Sequence, residues 1–322
     1  MRTYFTAATS FLVSAWAVAS VAGETLSRRI PDEYEAVGGP ATGLGNTGAA
    51  ALGGISGVRI NPAILPLEDQ YSVNAGYNWP TSGRDFYQLG IVDTTTSKSI
   101  AAGVSYTGFS DEYQKDAIER IGTDAPIHRR ATLALAHAFD KFSIGLSGQF
   151  VAGYNEAGEV LKGTGMGLGV AALLTPTIRL GAAGENLSNR KIDSIAPRTL
   201  RAGMAYLTLG GSVSLNLDYR QRMRVAAFEG ELPLLLVDDV SADVPYTDEE
   251  RMVFGSFTAK IYDVLRLMGA YGQAVSSDKR RTLAGGVGLV HQGFSLSYNV
   301  IRPYLPSLKT HSAVQLSLMV TM

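Results

Sequence analysis

The chain has 322 residues, of which 46% are hydrophobic and only 18% charged, with 36 glycines, no cysteine and a formal net charge of −1. Lack of cysteine excludes disulfides and thiolate metal sites, and a near-zero charge argues against nucleic acid as a partner. An exported chain of mild hydropathy and high glycine content suggests a barrel, in which apolar residues recur at every second position.

Residues 1–22 have the layout of a secretory signal peptide. Arg2 supplies a positive start, FLVSAWAVASVA (11–22) an apolar stretch, and Ala17-Val18-Ala19 or Ser20-Val21-Ala22 the small residues of a cleavage site. The stretch is too short for a spanning helix, which needs ~20 apolar residues, and no later run approaches that length. The longest, Leu232–Val237, holds a proline.

The segment 24–69 precedes the first strand. Its core, GLGNTGAAALGGISGVRINPAILPL (43–67), is too rich in small residues for a strong helix or a core of its own. The rest of the chain, 70–322, alternates. In SVSLNLDYR (212–220), Val213, Leu215, Leu217 and Tyr219 share one face and Ser214, Asn216, Asp218 and Arg220 the other, the period-two signature of a strand. FSIGLSGQF (142–150) and YSVNAGYNW (71–79) read the same way. The alternation predicts fourteen strands, at about 70–79, 84–94, 99–108, 129–139, 142–154, 163–174, 178–187, 199–209, 212–222, 252–262, 265–275, 281–291, 294–302 and 311–322. Sandwich strands are usually ~5–6 residues long, whereas segments of this length, antiparallel and even in number, can close a transmembrane barrel. Short connections (94–99, 139–142, 175–177, 209–211, 262–264, 291–293) alternate with mostly long ones, the pattern of periplasmic turns and extracellular loops. Phe142 and Phe150 fall where the two aromatic girdles belong.

One face of several strands is unusually small: Gly165, Gly167, Gly169 and Ala171; Gly181 and Ala183; Gly203 and Ala205; Ala284, Gly286 and Gly288. Glycine in a strand often marks the close approach of another backbone. The expected fold is therefore all-β, a fourteen-stranded antiparallel transmembrane β-barrel with 24–69 as an N-terminal lumenal plug. Gly45, Gly48, Asn61 and Pro62 are the plug candidates, with Asn61-Pro62 forming a turn at the wall. Arg179, Glu185, Arg201, Asp218 and Arg220 are expected to line the lumen. With a loop at 188–198, antiparallel pairing puts Glu185 opposite Arg201, where the two should form an ion pair.

Two loops stand out. SDEYQKDAIERIG (110–122) reads as a short helix with Ile118 and Ile121 on its apolar side, either folded onto its own barrel or presenting a greasy collecting surface. The loop 226–250 combines Leu234, Leu235 and Leu236 with eight acids, ending in Glu249 and Glu250, which either bind calcium or keep the loop soluble. They lack regular calcium spacing. His128, His137, His291 and His311 have no ligand spacing, and GTGMGLG (163–169) has its glycines at strand spacing and not in a phosphate-loop pattern. No acid/base constellation can be assembled. Neither enzyme activity, nor a cofactor, nor a metal is expected.

GLGNTGAAALGGISGVRINPAIL resembles the N-terminal hatch of the FadL-like long-chain fatty acid transporter family and its PorV-like relatives, and LGAAGENLSN (180–189) looks like a mid-barrel strand of the PorV-like branch. Ile64 after Asn-Pro-Ala, where the family has glycine, and the terminal Met322, where most outer-membrane barrels have an aromatic, depart from the pattern. The resemblance implies a Gram-negative outer-membrane location in contact with lipid. It also implies passive transport of hydrophobic or amphipathic small molecules, gated by the plug. The alternative is a PorV-like protein that binds or escorts secreted protein partners through its extracellular loops. The long pre-strand segment argues against a general porin.

Overall fold

A computed structural model of the chain describes residues 39–68, 71–80, 86–97, 99–109, 129–154, 160–189, 192, 196–208, 211–223, 249–262, 264–275, 281–291, 294–303 and 311–320. The signal-peptide stretch, Ile118, Ile121, Leu234, Leu235, Leu236 and the acids before Glu249 lie outside the described residues. The described chain opens with two short helices, α1 (Gly39–Gly43) and α2 (Gly54–Ile60), and a 3-10 helix (Pro62–Leu67). The strands follow: β1 (Tyr71–Pro80), β2 (Phe86–Asp93), β3 (Ile100–Phe109), β4 (Arg129–Phe139), β5 (Phe142–Tyr154), β6 (Val160–Thr175), β7 (Ile178–Glu185), β8 (Arg198–Leu207), β9 (Val213–Met223), β10 (Glu249–Ile261), β11 (Leu265–Ala274), β12 (Arg281–His291), β13 (Phe294–Pro303) and β14 (His311–Val320). They form one antiparallel sheet in which each strand pairs with its neighbours in sequence and β1 pairs with β14, from Tyr71 opposite Val320 to Pro80 opposite His311.

The two faces of this sheet differ as their residues do. Along β9, Leu215 and Leu217 are 52% and 53% exposed, while Asn216 and Asp218 between and beside them are 6% and 3% exposed. The same holds on β4, where Leu133 and Leu135 point outward and Arg130, Thr132, Ala134 and Ala136 are buried. A sheet that turns its leucines outward and its polar residues inward cannot fold around an oily core. It is suited to an apolar surrounding. Tight turns link the strands at one rim: Asp140 takes a positive φ of 55° between Phe139 and Phe142, which face each other across the β4–β5 hairpin.

Two elements differ from the sequence reading. β10 starts at Glu249, so Glu249 and Glu250 belong to the sheet and not to the acidic loop; they stand opposite Met223 and Arg222 on β9. The reason is a charge match: Glu250 Oε2 lies 3.2 Å from the Arg222 guanidinium, and both side chains are buried. β7 ends at Glu185 and not at 187, because Asn186 adopts a left-handed φ of 55°. The Leu187 N–H still donates to Met166 O on β6 at 2.7 Å, but pairing to β8 stops. The register moves by two residues, placing Glu185 opposite Thr199 and Ala183 opposite Arg201.

The helical segment lies against the inward face. Val58 and Leu65 pack with Val92, Ala101, Ala134 and Ala136, on β2, β3 and β4. Ala63 and Ile64 pack with Ala171 of β6. Two glycines permit the backbone path before α2: Gly45 and Gly48 have φ of 71° and 110°, values costly for residues with a Cβ. A Gly48→Ala exchange would also drive its methyl to 2.6 Å from the Leu52 side chain. We expect it to lower thermal stability by roughly 1–3 kcal/mol, read as a lower unfolding midpoint in detergent.

Candidate functional site

Of the residues expected to line a lumen, Arg201, Asp218 and Arg220 are buried on the inward face and Arg179 and Glu185 are half-buried; segment 39–67 lies against that face. Asn61 is the joint between α2 and the 3-10 helix. Its Oδ1 accepts from Ala63 N at 3.1 Å, capping the 3-10 helix whose first residue is Pro62. Its Nδ2 donates to Ala49 O at 2.7 Å and to Val170 O of β6 at 3.2 Å. The side chain thus fastens the segment both to itself and to the wall. Pro62 and Ala63 lie over Gly145 and Gly169, which are partners across β5 and β6. A Cβ on Gly145 would come within 2.5 Å of Ala63 N, and one on Gly169 within 2.1 Å of Asn61 Oδ1. These two glycines are therefore what allows the Asn-Pro-Ala backbone to sit on the sheet. Asn61 is fully buried. Asn61→Ala removes three hydrogen bonds, each worth about 1 kcal/mol net, so tryptic cleavage after Arg59 in the detergent-solubilised protein should rise by roughly a hundredfold. Unchanged cleavage would mean that packing alone holds the segment.

The other small-residue strands behave in two ways. Gly181 receives Ala49, for a Cβ on it would meet Ala49 O at 2.1 Å, whereas Gly203 makes room for the wall side chain of Asp218, whose Oδ1 would lie 2.3 Å from its Cβ, with the Ala49 Cβ in ordinary contact at 3.4 Å. Gly165 and Gly167 likewise make room for wall side chains, Asn186 and Gln149 for the first and Ser147 for the second. Of the plug candidates, Gly45 rests against Phe254 of β10, whose ring also fills the space over Gly272 and is covered by the Arg220 guanidinium 4.9 Å from its centroid. Asp218 Oδ1 accepts from Ala49 N at 2.8 Å, a second tie between segment and wall.

Charge is concentrated on the inward side. Glu185 is the hub. Its Oε1 lies 2.8 Å from Arg130 of β4 and 3.4 Å from Arg59 of α2, and its Oε2 lies 3.0 Å from Arg201 of β8. The sequence-predicted Glu185–Arg201 pair is formed, but diagonally and not between directly opposite residues, because of the two-residue shift in register. Arg59 and Arg130 escape notice in the sequence. Arg59 is a lone charge within GISGVRI, and that isolation is the signal that could have marked it. Burial brings the Arg59 guanidinium down to about 9, with Arg130 adding to the effect and Glu185 opposing it. At the short-turn rim, burial pushes the Glu68 carboxyl up, while Arg179, Arg266 and Lys260 pull it down. Glu68 O also accepts from the Thr94 hydroxyl, so the segment leaves the sheet interior tied to that rim. Arg179 is thereby placed near the rim and not in the Glu185 cluster.

The arrangement can hold a short chain segment inside the sheet by hydrogen bonds, ion pairs and close backbone contact. His137 stacks edge-on against Phe139, ring centroids 4.3 Å apart, on the outward side, and among the described residues no group of three His, Asp or Glu converges as a metal site would require.

No protein-family model matches the chain, and no curated protein matches it. Solved structures do. A structure named as the CymD monoaromatic hydrocarbon channel is 15% identical, with a TM-score of 0.57 over 88% of this chain and 97% of that one. The P. putida toluene transporter TodX is 14% identical, with a TM-score of 0.50 over 87% and 96%. A TodX variant described as a monoaromatic hydrocarbon channel lacking S2 and S3 is 14% identical, with a TM-score of 0.55 over 88% and 99%. At these identities the likeness establishes a shared fold.

Proposed function

We propose that the protein is a FadL-like outer-membrane channel: a closed fourteen-stranded transmembrane barrel in which the N-terminal segment is a plug, and through which hydrophobic or amphipathic small molecules pass passively. The observation that carries this is a segment seated inside an outward-greasy sheet by hydrogen bonds and an ion pair of Asn61, Ala49 and Arg59 and not by strand pairing. The strands pair with one another and not with the segment. The fold shared with structures named as hydrocarbon channels supports the same reading. Short turns at the rim where Glu68 leaves would be periplasmic, and the long connections extracellular.

The packed interior also suits a second reading, a PorV-like barrel that never opens and works by binding a protein partner at its rim. One experiment separates them. The chain has no cysteine, so an introduced pair reports cleanly. A Cβ on Gly45 would stand 3.7 Å from the Ala270 Cβ, within the ~3.5–4.5 Å of a disulfide; the φ of 71° at Gly45 strains any residue with a Cβ, but that strain is common to the oxidised and reduced forms being compared. In G45C/A270C proteoliposomes, uptake of radiolabelled decanesulfonate, an amphiphile whose fixed charge slows its passage through bare lipid, is expected to fall to the level of empty vesicles when oxidised and to return on reduction. Uptake that never exceeds that of empty vesicles, even when reduced and with a barrel shown to be folded, favours partner binding.

A further inference from the structure

The outward face is not charged evenly. Arg129 of β4, Lys162 of β6, Arg198 of β8, Arg251 of β10, Arg281 of β12 and Arg302 of β13 stand in the outward register at strand ends that adjoin the long connections. Among the described strand residues, the outward register at the short-turn ends holds no lysine or arginine. Two of the six are brought together by register: Arg129 and Lys162 lie opposite the same residue, Ala152 of β5, from its two sides. No other two of the six share a neighbour in the described ladders. Both are exposed, and their Cα atoms are about 10 Å apart, two strand spacings. Their long side chains can therefore converge on one group beyond the apolar wall.

Below this row the same three strands grade from polar to apolar. The next outward row is Ala131, Phe150 and Thr164, and the Arg129 guanidinium lies 5.9 Å from the Phe150 ring centroid. The row after that is Leu133, Gly148 and Met166. Leu133 and Met166 are 53% and 57% exposed, while a Cβ on Gly148 would meet nothing within 4 Å. A slot one strand wide thus lies open between two apolar walls. Cations, then an aromatic ring, then an apolar slot follow the order of head group, interface and acyl chain along a lipid.

We propose that the outer wall of β4–β6 is a binding site for a lipid with a phosphate-monoester head group and several acyl chains, of the lipid A class, its phosphate held by Arg129 and Lys162 and one chain laid in the Gly148 slot. This goes beyond passage through the interior and rests only on the reading of the sheet as a membrane barrel. Charge selects the head group. A phosphate monoester carries about −1.5 to −2 at pH 7, a match for two cations, whereas a diester carries a single negative charge. The planar guanidinium of Arg129 can donate two hydrogen bonds to phosphate oxygens, and Lys162 adds a compact charge beside it. Depth selects the source. Aromatic rings belong at the level where head groups meet chains, so a phosphate above Phe150 and a chain below it are parts of one molecule and not a free anion.

The test uses the full chain in dodecyl maltoside, with the apparent affinity for each lipid read by native mass spectrometry. Diphosphoryl lipid A should bind the unaltered chain at least about tenfold more tightly than its dephosphorylated form or phosphatidylglycerol. Inorganic phosphate in large excess should not compete. R129Q/K162Q should weaken lipid A binding about thirtyfold. R281Q/R302Q, which removes the same charge from the same rim at β12 and β13, should weaken it less than about threefold. G148W, which fills the slot and leaves the cations in place, should weaken it roughly fivefold. Equal losses in the two double variants would mean a diffuse basic rim and overturn the site. So would phosphatidylglycerol bound as tightly as lipid A, competition by inorganic phosphate, or a G148W that binds as the unaltered chain does. Should R129Q/K162Q not fold, the lipid comparison on the unaltered chain and G148W still decide. Flotation with liposomes separates this proposal from the reading beneath it: a chain that does not float fails the membrane reading, and one that floats but binds the three lipids alike fails the site alone.

Discussion

Deleting residues 24–60, most of the proposed plug, is expected to raise single-channel conductance in planar bilayers at least about tenfold while leaving the strands paired, since the proposed channel relieved of it would leave an aqueous path. The deletion takes away Leu44, Ile55, Val58 and Ile60, each no more than 3% exposed and each packed inside the sheet. It also removes the Ala49 contacts with Gly181, Gly203 and Asp218. What remains is a wall whose inward residues are largely small or polar: Gly169, Gly181, Gly203, Thr132, Ser143 and Asn216. Strand pairing accounts for the wall by itself, because every ladder from β1 round to β14 runs between strands and not through the segment. Circular dichroism should therefore keep its β signal. Conductance equal to that of the full chain would mean that the space behind the segment is not a conduit.

The shortened barrel should also prefer anions. Arg130, Arg201, Arg220 and Arg222 face inward and are buried, as are Asp218 and Glu250, with Glu185 half-buried beside them. Arg179 and Arg266 add to the positive side near the short-turn rim, where Glu68 remains as their counter-charge. Arginine outnumbers acid along the described wall, and a low-dielectric wall focuses the resulting field on the ions within. In a tenfold potassium chloride gradient the reversal potential should correspond to a chloride-to-potassium permeability ratio above roughly 3. R201Q/R220Q in the same background should bring it close to unity. A cation-selective pore would show that the arginines do not face the conducting path.

The same residues mark what could be read in advance. That Leu215 and Leu217 face one way and Asn216 and Asp218 the other follows from the two-residue period of a strand, which is a property of neighbouring residues. The order and type of the elements from β1 onward were legible for the same reason. So was the smallness of the inward face at Gly169, Gly181 and Gly203. What each glycine accommodates was not. Gly169 and Gly181 take the segment, whereas Gly165 and Gly167 take side chains of the wall itself. Nothing in the alternation of β6 distinguishes them. The candidate residues Ile118, Ile121 and Leu234–Leu236 lie outside the described residues.

Composition and periodicity by themselves determined the all-β class, the sidedness of each strand and the presence of a small-sided segment ahead of the sheet. Tertiary structure decided the rest. The left-handed turn at Asn186 moved the β7–β8 register by two residues, so Glu185 meets Arg201 along a diagonal. Arg130 reaches Glu185 across 55 residues of sequence and Arg59 across 126. Such meetings depend on how the sheet curves and on where a separate segment comes to rest inside it. Local pattern carries neither, because the energy of a strand's own alternation is the same whichever distant charge it eventually faces.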